Sequence, residues 1–212
     1  MANTYLPISL SMKNRRCLIV GGGRVALRKV ENLLNYEADI TVIAPEVEER
    51  IGYFASKDLL KLEKREYESP EASEYNLVIS ASNDDELNKL VYDDCQASGT
   101  PANIVDNPQL CDFIFPAVVR RDYLTVSVSS DGKAPFLSGN LRLILESIFP
   151  EHWSKVARLA AKFRLMVFKR WPDNHDKRNE CFGRFLAADW KAIIKEKDGE
   201  EIERQLDEML EV

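Results

Sequence analysis

Cys17-Leu-Ile-Val-Gly-Gly-Gly-Arg-Val-Ala-Leu-Arg28 decides the fold. A short apolar run ends in three glycines and passes at once into a helix-forming segment. That is the order of a strand, a tight turn and a helix N-terminus, the layout that cradles a pyrophosphate. Gly21 and Gly23 supply two positions of G-x-G-x-x-G/A, and Ala26 fills the third. Gly21 permits the sharp turn, Gly23 lets backbone approach the phosphates with no Cβ in the way, and small Ala26 lets helix and strand pack closely.

Working outward, the first helix is expected from about Val25 to Tyr36, with Val25, Leu27, Val30, Leu33 and Leu34 at helical spacing. Ile40-Thr-Val-Ile-Ala44 follows as a buried strand stopped by Pro45. Two strands joined through one helix make a βαβ unit, which requires parallel strands and a right-handed crossover. A helix over 47–57, a polar edge strand over 61–67, an apolar strand over 77–81, a helix over 86–98 and a fifth strand over 101–105 extend the sheet. Upstream, Leu6 to Arg16 reads as an entry segment with a short strand. The fold class is therefore α/β, a Rossmann-type parallel sheet.

Beyond Phe113-Ile-Phe-Pro116 the pattern changes. Residues 117–121 and 124–129 alternate as a hairpin, and Pro135 opens a helix carrying Leu137, Leu141, Ile144, Leu145 and Ile148 on one face. Such a hairpin and helix, outside a completed sheet, need another surface to cover them, so a homodimer is expected. The remainder reads as helices over 153–170, 181–197 and 200–210, with a linker over 171–176 that includes His175. The expected regions are 1–115 for nucleotide binding, 116–150 for dimerisation and 151–212 as a C-terminal helical domain.

Composition bounds the function. The 212 residues are 45% hydrophobic and 30% charged, as in a globular protein able to bury a core. No apolar run reaches the ~20 residues that span a bilayer. The start Met-Ala-Asn-Thr-Tyr-Leu-Pro lacks the basic and apolar regions of a leader, and a cytoplasmic protein is expected. A net charge of −6 disfavours nucleic acid and anionic membranes as partners. The four cysteines, Cys17, Cys95, Cys111 and Cys181, form no C-x-x-C pair, and the two histidines, His152 and His175, lack a ligand spacing. No resident metal site is expected.

Three strand ends hold candidate residues. Glu46 reads either as a ribose ligand or as the start of a solvated acidic helix. Ser82-Asn83-Asp84-Asp85 can cap the next helix and also lies where a cofactor would pass. Asp106, at the tip of the fifth strand, is either a carboxylate aimed into the crevice or the first residue of an Asp-Asn-Pro turn.

From about Leu6 to Phe163 the chain resembles the precorrin-2 dehydrogenase and sirohydrochlorin ferrochelatase family, the N-terminal module of siroheme synthases. The resemblance rests on Leu18-Ile-Val-Gly-Gly-Gly-Arg-Val-Ala-Leu-Arg-Lys29, Thr41-Val-Ile-Ala-Pro45, Ala81-Ser-Asn-Asp84, Leu87-Asn88, Asn103-Ile-Val-Asp106, Phe113-Ile-Phe-Pro-Ala117 and Ser127-Val-Ser-Ser-Asp-Gly-Lys-Ala-Pro135. It implies a homodimer that oxidises precorrin-2 to sirohydrochlorin with NAD as hydride acceptor; some members also insert ferrous iron, as substrate, to give siroheme. The catalytic aspartate falls on Asp106, and cofactor contacts fall on Gly21, Gly23, Arg24, Val25, Pro45 and Glu46. A tetrapyrrole bearing carboxylates then needs cations and hydrogen-bond donors, for which Arg120, Arg121, Lys133, Arg142, Ser129 and Ser130 are the candidates. Asp131 stands where many relatives have glycine and brings a negative charge to that loop.

Two other readings compete. Tyr53-x-x-x-Lys57 matches the pair of short-chain dehydrogenases, yet it falls after the second strand, far too early for that mechanism. A nucleotide-sensing regulatory module would keep the glycine turn and have no need of Asp106.

Overall fold

A computed structural model describes residues 5–211. The first four residues, which belong to the expected leader-free start and to the 1–115 region, lie outside the described residues, as does Val212. The chain divides into two compact units at Phe115 and Pro116.

In the first unit the elements run β1 (Arg16–Val20), α1 (Arg24–Leu34), β2 (Asp39–Ile43), α2 (Glu49–Ser56), β3 (Lys61–Glu63), β4 (Leu77–Ser80), α3 (Asp85–Ser98) and β5 (Ala102–Ile104). The five strands pair in parallel in the order β3-β2-β1-β4-β5. The pleat sends alternate residues of β1 to opposite faces. Cys17 and Ile19 join Ala26, Val30 and Leu33 of α1 and Ile51 of α2, whereas Leu18 and Val20 join Val91 and Cys95 of α3. Both faces are covered, which is why β1, β2 and β4 read as continuous apolar runs. The order turns back between β1 and β4, so the crevice beyond their carboxyl ends is the expected ligand position.

The outer strands are closed differently. At β3, Glu63 pairs with Lys61 and Arg65, and Arg65 also pairs with Glu71. At β5 the chain folds back on itself: Asp112 donates its N–H to the Ala102 carbonyl at 2.8 Å, and its carboxylate accepts the Ala102 N–H at 2.9 Å. Asn103 and Cys111 form an antiparallel bridge there.

Asp84 caps α3, its carboxylate accepting the N–H groups of Glu86 at 2.9 Å and Leu87 at 3.1 Å. Asp84→Ala is expected to lower stability by about 1 kcal/mol, read as an earlier urea midpoint with an unchanged slope.

The second unit begins with an antiparallel hairpin, β6 (Ala117–Arg121) and β7 (Leu124–Val128), followed by α4 (Pro135–Ile148). Four helices follow: α5 (Trp153–Arg170), α6 (His175–Ala187), α7 (Trp190–Glu196) and α8 (Gly199–Glu208). Their core stacks Phe163 on Phe185 at 5.3 Å between ring centres and Phe185 on Trp190 at 4.3 Å. α4 buries only Ser138 and leaves Phe136, Leu137, Leu141, Leu143, Ile144 and Ile148 exposed.

Five expectations differ from what is observed. The edge strand read over 61–67 is only Lys61–Glu63, because the Arg65 N–H turns back to the Glu63 carbonyl at 3.0 Å. The entry segment over Leu6–Leu10 is irregular rather than a strand, with Leu6 and Ile8 largely exposed. The helix read over 47–57 starts only at Glu49, because Glu48 N–H is taken by the Gly22 carbonyl at 2.8 Å. His175 is the first residue of α6, not part of a linker, since the Asn174 side chain accepts the Lys177 N–H and caps the helix. The helix read over 181–197 is two helices: Asp189 caps α7 through Ala192 N–H, and the Trp190 indole donates to the Phe185 carbonyl at 2.8 Å.

Candidate cofactor and catalytic site

The three glycines do three different jobs. Gly21 has φ +108°, and a Cβ there would lie 2.5 Å from the Ala81 carbonyl oxygen, so the turns after β1 and β4 are in contact. Gly22 is packed harder still, its absent Cβ falling 2.0 Å from the Glu46 carbonyl oxygen and 2.7 Å from Val47. At Gly23 a Cβ would project into open space. Gly23 is also the N-cap of α1 and offers no side-chain cap. The first-turn N–H groups, on Arg24, Val25 and Ala26, lack intrahelical partners and carry the positive end of the helix dipole. A glycine cradle closed from behind and open in front fits a dinucleotide pyrophosphate.

The flanking candidates line up at the same end of the sheet. Arg24 is 95% exposed, its Nε 3.9 Å from Glu48. Val25 is half-buried, and Pro45 and Glu46 are exposed in the loop after β2. Glu46 precedes α2 rather than starting it. Ser82 Oγ accepts the Asp84 N–H at 3.1 Å, while Asn83 is exposed. Behind them Asn88 accepts the Ser80 hydroxyl at 2.6 Å and donates to the Ser82 carbonyl at 3.0 Å, a buried bracket holding the β4 turn.

Asp106 occupies the third position of a turn over 104–107, closed by Asn107 N–H donating to the Ile104 carbonyl at 3.2 Å. Its φ is +61°, left-handed and uncommon outside glycine. It is therefore both a turn residue and an exposed carboxylate, not the first residue of an Asp-Asn-Pro turn. The loop behind it is pinned: the Cys111 thiol donates to the Ile104 carbonyl at 3.2 Å, and the Asn103 amide donates to the Phe113 carbonyl at 2.8 Å. Lys29 reaches this loop from α1, its ammonium 3.8 Å from the centre of the Phe115 ring. Burial and neighbouring Arg28 push the Lys29 amine down to about 8, with Cys111 and Asp106 pulling the other way.

Sequence reasoning missed Gly22, Asn88 and Lys29 as site residues. The signal for Lys29 was available: it falls between Ala26 and Leu33 on the buried stripe of α1, where a cation is out of place. Tyr53 and Lys57 sit at the end of α2, with the ammonium 5.7 Å from the ring centre.

The other thiols are inert by burial, Cys17 being raised to about 11 and Cys95 to about 12. Among the described residues no group of His, Cys, Asp and Glu gathers to hold a metal ion, and no helix is long and apolar enough to cross a membrane.

The remaining candidates lie in the second unit. Arg121 is a strut: its guanidinium, 11% exposed, donates to the Phe149 carbonyl at 2.7 Å and the Arg120 carbonyl at 2.8 Å, and faces Glu151 at 3.4 Å. Arg142 pairs with Glu146 one turn along α4. In the loop before α4, Ser129 Oγ accepts the Asp131 N–H and Ser130 Oγ accepts the Ala134 N–H. Asp131 and Gly132 are both left-handed, at φ +53° and +72°. Asp131 adopts the conformation glycine would, so the loop closes with it in place. Lys133 and Arg120 are exposed.

A siroheme synthase of Methylococcus capsulatus is 39% identical over 175 residues, 82% of this chain and 37% of its own length. One from Psychrobacter cryohalolentis is 41% identical over 162 residues, 76% of this chain and 31% of its own. The chain thus spans about a third of the curated relatives it matches. The solved structure of "SirC, precorrin-2 dehydrogenase" superposes with a TM-score of 0.78 at 22% identity, covering 96% of this chain and 100% of that one. Residues 8–117 match the family described as "Putative NAD(P)-binding", and these residues hold the glycine turn, both its packing partners and Asp106. By that match, over more than half its length, the chain belongs to this NAD(P)-binding family.

Proposed function

We propose that this protein oxidises precorrin-2 to sirohydrochlorin with NAD. The observation that carries the reading is the pairing, at the carboxyl end of one parallel sheet, of an open glycine cradle with an exposed carboxylate on a left-handed turn. The names of the siroheme synthase relatives support the pathway, and the SirC structure supports the fold on which it would run.

When bound, NAD supplies the hydride acceptor. Gly21, Gly22, Gly23 and the α1 N-terminus would hold the pyrophosphate, with Arg24 and Val25 beside it. Pro45 and Glu46 would meet the ribose, where an acidic residue disfavours a 2′-phosphate and so favours NAD over NADP. Ser82 and Asn83 border the path between the two turns. Asp106 takes the proton released as the macrocycle loses its hydride. Within the second unit Ser129, Ser130, Lys133, Arg120 and Arg142 are the candidates to bind carboxylates of such a substrate, and Arg121 braces their hairpin against Phe149. Insertion of ferrous iron into sirohydrochlorin requires loss of pyrrole N–H protons, a task for the same carboxylate, with iron as substrate.

Residues 1–115 are the cofactor domain, 116–150 a dimerisation region and 151–212 a helical domain of a cytoplasmic enzyme. The exposed apolar side chains of α4 support a homodimer, which should sediment as two chains; a monomer at micromolar concentration would defeat this part. The enzymatic reading is tested by anaerobic incubation with precorrin-2 and NAD. NADH with a sirohydrochlorin spectrum is expected, and faster siroheme formation than without enzyme when ferrous iron follows. NAD binding without oxidation would instead favour a regulatory module.

A further inference from the structure

We propose that Asn88 is a positioning residue for the cofactor: its amide turns the Ser82–Asn83 peptide so that the Asn83 N–H faces a bound dinucleotide. The inference deepens the functional reading above and rests on it for the identity of that ligand as NAD. Asn88 lies on the buried stripe of α3 with Val91 and Cys95. Leucine there would favour the helix and bury no amide, so packing does not call for asparagine. Both ends of the amide are in use instead. The Ser82 carbonyl can only accept, so the amide nitrogen must face it, at 3.0 Å, and the amide oxygen faces the buried Ser80 hydroxyl, at 2.6 Å.

That orientation reaches the surface through one peptide plane. The Ser82–Asn83 bond is trans, and a planar trans peptide directs its N–H opposite to its C=O. With the Ser82 carbonyl drawn inward to Asn88, the Asn83 N–H points outward, at an exposed residue. Around it the N–H groups of Ala81, Asp84, Glu86 and Leu87 are taken by acceptors of the chain at 2.8–3.1 Å. Among the described residues no acceptor takes that of Asn83. The Ala81 carbonyl and the Ser82 nitrogen abut Gly21, so this donor stands beside the glycine cradle, where an oxygen of the NAD phosphates or ribose can accept it.

Asn88→Asp tests the orientation directly, because it replaces the amide donor by an acceptor. Two acceptors then face each other behind the turn. The peptide is driven to turn over, with the Asn83 N–H inward and the Ser82 carbonyl outward against the ligand oxygens. Calorimetric titration of the full chain with NAD should show affinity lowered about 10- to 100-fold, the span of one hydrogen bond to a charged group. Affinity within about twofold of the unaltered protein would overturn the proposal, as would an unaltered protein that does not bind NAD.

A second measurement needs no variant. In the unaltered protein labelled with nitrogen-15, the Asn83 amide proton should move downfield as NAD saturates, and an unmoved signal would overturn the proposal whether or not the variant folds. In precorrin-2 oxidation, the loss in Asn88→Asp should fall on KM for NAD rather than on kcat. A merely structural role would lower the active fraction, and so the apparent kcat, at an unchanged KM; that pattern would overturn it. If the unaltered protein binds NAD yet does not oxidise precorrin-2, the functional reading fails, and the two binding measurements decide the role of Asn88 by themselves.

Discussion

Asp106→Asn is expected to lower precorrin-2 oxidation by about 10²–10⁴-fold, the span of a positioned general base, and to leave NAD affinity within about twofold. Asparagine is the informative replacement. It is close in size and shape to aspartate, and it tolerates the left-handed backbone that φ +61° imposes, so the turn over 104–107 survives. Alanine would add a backbone cost of about 1 kcal/mol at such a position and mix a conformational effect with a chemical one. The exposed carboxylate makes no hydrogen bond that holds the loop; that work is done by Cys111 and Asn103. Melting temperature should therefore hold while turnover falls. A variant that keeps full turnover would remove Asp106 from the mechanism.

The glycine turn makes the second large prediction, because adjacent residues should fail in opposite ways. Gly22→Ala places a methyl 2.0 Å from the Glu46 carbonyl oxygen, a backbone atom that cannot swing aside. The β1 and β2 turns must part, at a cost of about 2–4 kcal/mol, and much of the protein should be recovered unfolded. A Cβ at Gly23 would meet no protein atom within 4 Å, so the thermal transition of Gly23→Leu should stay near that of the unaltered protein. Its side chain enters the space assigned to the pyrophosphate, and NAD affinity should fall about 100-fold, equivalent to about 3 kcal/mol. Calorimetric melting and NAD titration of both variants separate the outcomes. A folded Gly23→Leu with unaltered NAD affinity would defeat the pyrophosphate assignment.

Much of this fold is legible in the sequence, for identifiable reasons. Apolar runs at Cys17, Ile40 and Leu77 announce strands buried on both faces, and the glycines between the first run and α1 announce the turn. The hairpin of β6 and β7 was legible in its period-2 alternation. Local capping hid the rest. Asn174 and Asp189 redirect the chain through single side-chain hydrogen bonds, so α6 starts earlier and ends sooner than its apolar pattern suggests. Gly22 has no assigned position in the G-x-G-x-x-G/A pattern, and its constraint comes from the Glu46 carbonyl of the next turn, which the sequence does not show. Arg121 reads in the sequence as a candidate for substrate carboxylates; the position of Phe149 makes it a strut.

The outer strands carry one more consequence. A parallel sheet with bare edges invites a neighbouring chain to add a strand and grow a ribbon. Here the Ala102 N–H and C=O are already consumed by Asp112, and the other margin is a three-residue strand fenced by Lys61, Glu63 and Arg65. Both margins thus disfavour the addition of a strand from a neighbouring chain, β5 at Ala102 by its own returning loop and β3 by its shortness and charge.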